Sequence, residues 1–286
     1  MVGAFVSAGA ALGAYALAEP YRFRLQHHRL PVRSGVPALT VLHVSDAHLT
    51  ARDRARAGFL RSLPGRLDRA VDLVLMTGDM LEDDSGIEPA LVALEGLEAR
   101  IGRFYVLGSH DYYQARFKLP TRYLTGKRTT QLAPRADVER LEAGLAAQGW
   151  RSVSNHSAIV EGSSGPIRVA GVDDPYLGRH RTEHIRRAAD EVFAVGLTHA
   201  PDVVSEWALS GFDLVVAGHT HGGQIRLPLL GALVTNSTLP AKLAMGTHRV
   251  GGAWLHVSPG LGSSKYTPVR FLARPEVTLL ELVPER

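Results

Sequence analysis

The sequence predicts an α/β protein built as a four-layer helix–sheet–sheet–helix sandwich of mixed sheets. Two observations carry that expectation. Strand-like apolar runs alternate with helical periods from Leu39 to His221, which is the signature of strand–helix–strand units in a sheet covered by helices. Beyond His221 the chain offers only strands and turns, GALVT, GAWLHVS and EVTLLEL, which complete mixed sheets without adding helices.

Taken in order, Val2 to Ala18 (VGAFVSAGAALGAYALA) carries no charge. A spanning helix wants roughly 20 apolar residues, and this Gly/Ala-rich run is at the short end. It reads either as a membrane anchor or as an apolar helix lying on the domain. No Lys or Arg precedes it, unlike a cleaved secretory signal. Arg22, Arg24, Arg29 and Arg33 follow it, so an inserted helix would hold the main domain on the cytoplasmic side, attached to the inner face of the membrane. LPVRSGVP reads as a linker. The expected division is therefore residues 1–36 for helix and linker and 37–286 for one domain.

From Leu39, LTVLHVS is a β-rich run, ARDRARAGFLRSLPGRLDRA a polar helical segment interrupted at Pro64, and VDLVLMT a buried strand. GIEPALVALEGLEAR is helical in period and RFYVLG is a strand. DVERLEAGLAAQGW then reads as helix, HSAIVEG, PIRVAGV and EVFAVGLTH as strands, PDVVSEWALS as helix and FDLVVAGHTH as strand. Between Tyr112 and Pro134 a long stretch sets Arg116, Lys118, Arg122, Lys127 and Arg128 among aromatics. It reads either as a solvated loop or as a cover that meets an anionic substrate.

Composition narrows the function. Hydrophobic residues are 45% and charged residues 21%, as in ordinary globular chains. The 32 Lys and Arg against 28 Asp and Glu leave a net charge of +4. That excess forms no concentrated basic stripe, so nucleic acid is not an expected partner. The absence of Cys excludes disulfides and thiolate metal sites, so any metal is held by His, Asp, Asn or water.

Such residues recur where strands end: Asp46 and His48 after VLHVS, Asp79 after LVLMTG, His110 and Asp111 after FYVLG, His199 after AVGLT, and His219 and His221 after LVVAG. The carboxyl ends of strands form the ligand crevice of α/β sheets, so these positions converge. In Asp46-Ala47-His48 and His219-Thr220-His221 the polar side chains at i and i+2 share one side of an extended segment. Carboxylate with imidazole and no thiolate suits Mn, Fe, Zn, Co or Ni.

The ordered set DAH, GD, GSHD, TH and GHTH resembles the calcineurin-like metallophosphoesterase superfamily, whose pattern is D-x-H, G-D, G-N-H-D/E, H and G-H-x-H. EPYRF, GHTHGGQIRLP and VSPGLG are similar to its bacterial membrane-associated phosphodiesterase group. The resemblance implies two divalent ions. Asp46, His48, Asp79 and His221 would hold one, with Asp79 bridging to a second held by His199 and His219. The family's Asn ligand falls at Ser109, a shorter and weaker donor. His110 would be the general acid, oriented by Asp111, or would shift to the second ion in place of the missing amide. The implied reaction is hydrolysis of a phosphodiester or pyrophosphate by a metal-bridging hydroxide. The substrate would be a small phosphoester or a lipid-linked one, the latter favoured by the apolar N-terminal segment. The rival reading is a non-catalytic metal-binding scaffold that docks a partner, for which Ser109 is the main support.

Overall fold

The computed structural model describes residues 2–115, 133–263, 266 and 268–285. The cations expected to line the long stretch, Arg116 to Arg128, lie outside the described residues. Along the chain come α1 (Val2–Ala18), β1 (Arg24–Val32), β2 (Leu39–Val44), α2 (Arg54–Ser62), β3 (Leu73–Thr77), α3 (Ile87–Leu94), β4 (Gly102–Val106) and the one-turn α4 (Ser109–Tyr112). After them follow α5 (Val138–Ala147), β5 (Arg151–Ser152), β6 (His156–Gly162), β7 (Gly165–Gly171), β8 (Phe193–Leu197), α6 (Val204–Leu209) and β9 (Leu214–Ala217). The chain closes with the hairpin β10 (Arg226–Leu227) and β11 (Gly231–Ala232), then β12 (Gly246–Val250), β13 (Ala253–Val257) and β14 (Glu276–Pro284).

Two six-stranded mixed sheets result, in the orders β1-β14-β2-β3-β4-β5 and β12-β13-β9-β8-β7-β6. Period-two alternation divides each strand between two cores. On β2 and β3, Val41, Leu73 and Leu75 pack between the sheets against Val169, Val195, Leu197 and Val216, while Leu42, Val44, Val74 and Met76 pack outward under α2, α3 and α5. Trp207 of α6 and Phe212 cover the outer face of the second sheet with Val215 and Leu255. The layers are therefore helix, sheet, sheet, helix, as the sequence predicts.

The polar helical segment after Leu49 stops at Ser62, and Pro64 opens only a single 3-10 turn, because proline lacks the N–H that a continuing helix needs. Residues 24–32, expected outside the domain, form β1, which pairs in parallel along the whole of β14 from Arg24 opposite Glu276 to Val32 opposite Pro284. Pro31 concealed it in the sequence; at a sheet edge its missing N–H costs no ladder bond.

Among the described residues no helix is long and apolar enough to cross a membrane. The end of α1 meets the domain where Tyr15 packs edge-on to Phe271 at 5.6 Å between ring centroids and Ala16 accepts the Arg270 N–H at 3.0 Å. Leu12 and Leu17 stay exposed.

Candidate metal centre

All the predicted site residues except His221 and the half-buried His110 are buried, and they gather at the carboxyl ends of β2, β3, β4, β8 and β9. Asp46, His48, Asp79, His219 and His221 all adopt positive φ, between 44° and 68°. Five non-glycine residues in the left-handed region mark a backbone held by its surroundings to aim side chains. Two glycines allow the close approach. A Cβ on Gly108 would strike Asp79 and the His199 ring, and one on Gly218 would strike Asp46 and Ser45.

Asp79 is central. Its Oδ2 lies 3.3 Å from His199 Nε2 and 3.6 Å from His48 Nε2, and its Oδ1 accepts the His110 N–H at 2.7 Å. His221 Nε2 lies 3.8 Å from Asp46 Oδ1, and the His219 N–H reaches both Asp46 oxygens at 3.1 Å. The possible ligand atoms group as Asp46, His48 and His221, and as Asp46, Asp79 and His199, each set within 4.8 Å.

The imidazole partners reveal which nitrogens face inward. His48 Nδ1 donates to Glu82 at 2.9 Å, and its Nε2 is buried with no hydrogen-bond partner. His199 Nδ1 donates to the Thr77 carbonyl at 2.7 Å, and His219 Nε2 donates to that of Asn236 at 3.2 Å. With those nitrogens committed as donors, His199 Nε2 and His219 Nδ1 point lone pairs at each other across 3.2 Å. Such a pair requires a shared cation, a proton or a metal ion, so these residues fit a metal. Burial would lower the His199 pKa, but Asp79 outweighs it and raises that pKa well above the ordinary value. Burial lowers His219 to about 4.

Ser109, at the family's Asn position, is buried between Gly108 and His110, whose backbones both meet Asp79. Asp111 differs from its expected role of orienting His110. Its Oδ1 accepts the N–H groups of Met80 and Leu81 at 2.8 and 3.1 Å, and its Oδ2 that of Gly108 at 2.9 Å. It thus ties the Asp79 loop to the His110 loop. Burial, with Asp79 nearby, pushes its pKa up to about 7. The carboxylate beside His110 is Glu82, 3.8 Å from Nδ1, and the His110 ring packs edge-on to His48 at 4.7 Å.

Sequence reasoning missed Glu82, Asp174 and Arg270. Asp174 is buried at the end of β7, and burial pushes its pKa up to about 7. The strand-end criterion, applied to PIRVAGV as to the other strands, would have found it. The Arg270 guanidinium is wholly buried, donates to the carbonyls of Ala273, Pro259 and Gly262, and lies 3.4 Å from His221 Nδ1. No local motif signals it.

The sequence model of the calcineurin-like phosphoesterase family matches residues 39–223. The uncharacterized metallophosphoesterase YkoQ of Bacillus subtilis is 27% identical over 257 residues, covering 87% of each chain. The uncharacterized metallophosphoesterase YkuE of the same organism is 26% identical, covering 97% of this chain and 91% of its own. The phosphodiesterase YaeI of Escherichia coli is 24% identical, covering 93% of this chain and 90% of its own.

Proposed function

This chain belongs to the calcineurin-like phosphoesterase family, and from that premise we propose that it hydrolyses a phosphodiester or pyrophosphate at a centre of two divalent ions. The observation that carries the reading is the approach of His199 Nε2 and His219 Nδ1 to 3.2 Å beside Asp79, a pair that needs a shared cation. Asp46, His48, Asp79 and His221 would hold one ion, and Asp79, His199 and His219 the other, with Ser109 adjoining through its neighbours Gly108 and His110. When bound, ions of the Mn, Fe, Zn, Co or Ni class bring water toward its hydroxide form near neutral pH and neutralise charge on the phosphoryl oxygens.

The chain's own residues do the rest. Glu82, Thr77 and Asn236 fix the tautomers of His48, His199 and His219, so their lone pairs converge before substrate arrives. His110 is half-buried with its ring beside His48 and Glu82, on the side of the first ion's ligands. That placement supports the role of proton donor to the leaving oxygen over that of ligand to the second ion. Asp111 acts as a positioning residue by accepting the Met80, Leu81 and Gly108 N–H groups, which hold the loops of Asp79 and His110 together.

What supports an amphipathic or lipid-linked phosphoester is the β10–β11 hairpin, which leaves the centre immediately after His221 and exposes Leu229, Leu230, Leu233 and Val234. Phe271 joins this hairpin to α1: its O accepts the Arg226 N–H at 2.9 Å and its ring meets Tyr15. A bilayer contacting both segments on the inner face of the cell membrane would bring phospholipid-borne esters beside the metal ligands.

The test is hydrolysis of bis(p-nitrophenyl) phosphate by purified protein with Mn²⁺, against the same protein stripped by a chelator. Metal-dependent turnover is expected. No turnover with Mn, Fe, Co, Ni or Zn would favour the non-catalytic scaffold.

A further inference from the structure

A second group of metal-ligand side chains lies between the two sheets, at the β1 edge. On β2, His43 follows Leu39 and Val41 in alternate positions and so enters the apolar inter-sheet layer; on β13, His256 lies between Leu255 and Val257, which pack outward, and so enters it from the opposite sheet. Both rings are fully buried. Buried polar groups in such a layer are expected to be hydrogen-bonded, and all but one of their nitrogens are.

The exception follows from the direction of a hydrogen-bonded chain. Ser45 donates its hydroxyl proton to Asp46 at 2.5 Å, and Thr77 donates its own to Ser45 at 2.7 Å. Thr77 therefore has only lone pairs left for His43 Nε2, 2.8 Å away, and His43 Nε2–H must be the donor. A neutral His43 then has an unprotonated Nδ1, which accepts from His256 Nδ1 at 2.8 Å. His256 is left with an unprotonated Nε2 that is buried and has no hydrogen-bond partner. Burial lowers the pKa of His43 to about 3 and that of His256 well below the ordinary value, in keeping with neutral rings.

A bare lone pair in an apolar layer is costly unless a cation meets it. Two further donors stand beside it. One atom each from His28, His256 and Glu276 lie within 4.8 Å of one another, and with His256 Nδ1 committed to His43, Nε2 is the atom His256 can contribute. Glu276 is itself held as a ligand would be: Arg24 binds its Oε2 through Nε and Nη2 at 2.9 and 2.6 Å, and Thr278 reaches Oε1 at 3.3 Å. Outer partners of this kind orient metal ligands. His28 is half-buried on the edge strand β1, which gives the group a side open to solvent.

We propose that His28, His256 and Glu276 form a further cation site, separate from the centre at Asp79, for a divalent transition ion of the zinc class. Two imidazoles and one carboxylate, with a fourth position left to water, are a donor set that such ions accept. The Asp46–Ser45–Thr77–His43–His256 chain links it to the Asp79 centre, so the orientation of a ligand in one site sets the tautomer of a ligand in the other.

The experiment counts Zn²⁺ ions retained per chain after chelator stripping, reloading and desalting, in the full-length protein and in His28→Ala, Asp79→Asn and the double variant. His28 is half-buried on an edge strand, so its loss is expected to leave the fold intact. His28→Ala is expected to retain one ion fewer than wild type, with bis(p-nitrophenyl) phosphate hydrolysis within about 2-fold of wild type. Asp79→Asn should lose ions independently, and the remaining ion should disappear in the double variant. An equal count in wild type and His28→Ala overturns the proposal, since His256 Nε2 would then meet only water. A count unaffected by Asp79→Asn but lowered by His28→Ala would overturn the phosphoesterase centre and leave this site standing. As a second reading, ¹⁵N spectra of the Asp79→Asn protein should show an unprotonated His256 Nε2 that shifts on adding Zn²⁺; a protonated Nε2 would overturn the chain's direction and with it the site.

Discussion

His48 donates from Nδ1 to the Glu82 carboxylate at 2.9 Å, and this one bond decides which of its nitrogens faces the candidate centre. Glu82 can only accept, so Nε2 is left as the lone pair turned toward Asp79. Glu82→Gln keeps the shape and removes the charge that strengthens the bond and the basicity of the ring. Metal affinity is expected to fall about 10- to 100-fold, as for other outer partners of ligating histidines, with activity restored at higher Mn²⁺. A metal titration checks it, and unchanged affinity would remove Glu82 from the centre.

Asp79→Asn separates charge from backbone. Asp79 sits at φ 50°, a left-handed conformation that Asn tolerates as well as Asp, so the loop should keep its shape. The amide cannot bridge two ions as a carboxylate does, and it loses attraction for His199. Hydrolysis of bis(p-nitrophenyl) phosphate should drop at least about 100-fold, with the circular dichroism spectrum preserved. Activity near wild type would sink the shared-carboxylate assignment.

Ser109→Asn restores the family's donor. The neighbours of Ser109 both touch Asp79, so a side chain one amide longer is expected to enter the His199 side of the centre. The second ion should bind about 10-fold tighter, roughly one additional oxygen ligand's contribution of about 1.4 kcal/mol. Calorimetric Mn²⁺ titration reads it directly; equal affinity would mean that residue 109 faces away.

Much of this centre was legible because chemistry and topology coincide: a β strand places its last residue at a predictable edge, and five such edges carried Asp or His. The fold was legible for the same reason, since β2, β3, β8 and β9 are buried almost throughout and read as mainly apolar runs. The misses have equally local causes. The strand β1 is polar along its exposed positions and contains Pro31, so only its pairing with β14, far away in sequence, makes it a strand. Asp111 follows His110 in the chain, yet the turn of α4 rotates its carboxylate onto the Met80, Leu81 and Gly108 amides and leaves Glu82 beside the imidazole. Sequence adjacency names neighbours along the chain, whereas the partner of a catalytic group is set by the loops that fold over it.

His43 predicts a pH dependence of stability. Its folded pKa is lowered from 6.5 to about 3 by burial. Below pH 6.5 the unfolded chain takes a proton that the native ring refuses, so this contribution is complete above 6.5 and is lost as pH falls toward 3. Asp174, pushed up to about 7, works in the opposite direction over the same range, so the overall slope does not isolate His43. The difference between wild type and His43→Gln does. That difference in unfolding free energy, from urea titrations of chelated protein, should shift against wild type by about 1 kcal/mol per pH unit between pH 6 and pH 4. A constant difference would show that His43 titrates normally in the fold.

The exposed hairpin supplies the last prediction. Leu229 and Leu230 at its tip are 106% and 74% exposed, an arrangement that costs apolar hydration unless something covers it. Burying one leucine in hydrocarbon is worth about 1.5–3 kcal/mol, so losing two should weaken vesicle binding by roughly 100-fold or more even with α1 present. Sedimentation with phospholipid vesicles is the measurement, comparing wild type with Leu229→Asp/Leu230→Asp and with a chain lacking residues 1–18. Both changes are expected to release protein from the vesicles, while hydrolysis of the small diester, which needs no bilayer, continues. Release by the deletion alone would place the lipid contact on α1. Release by neither would remove the membrane from the reading and favour a water-soluble phosphoester as substrate.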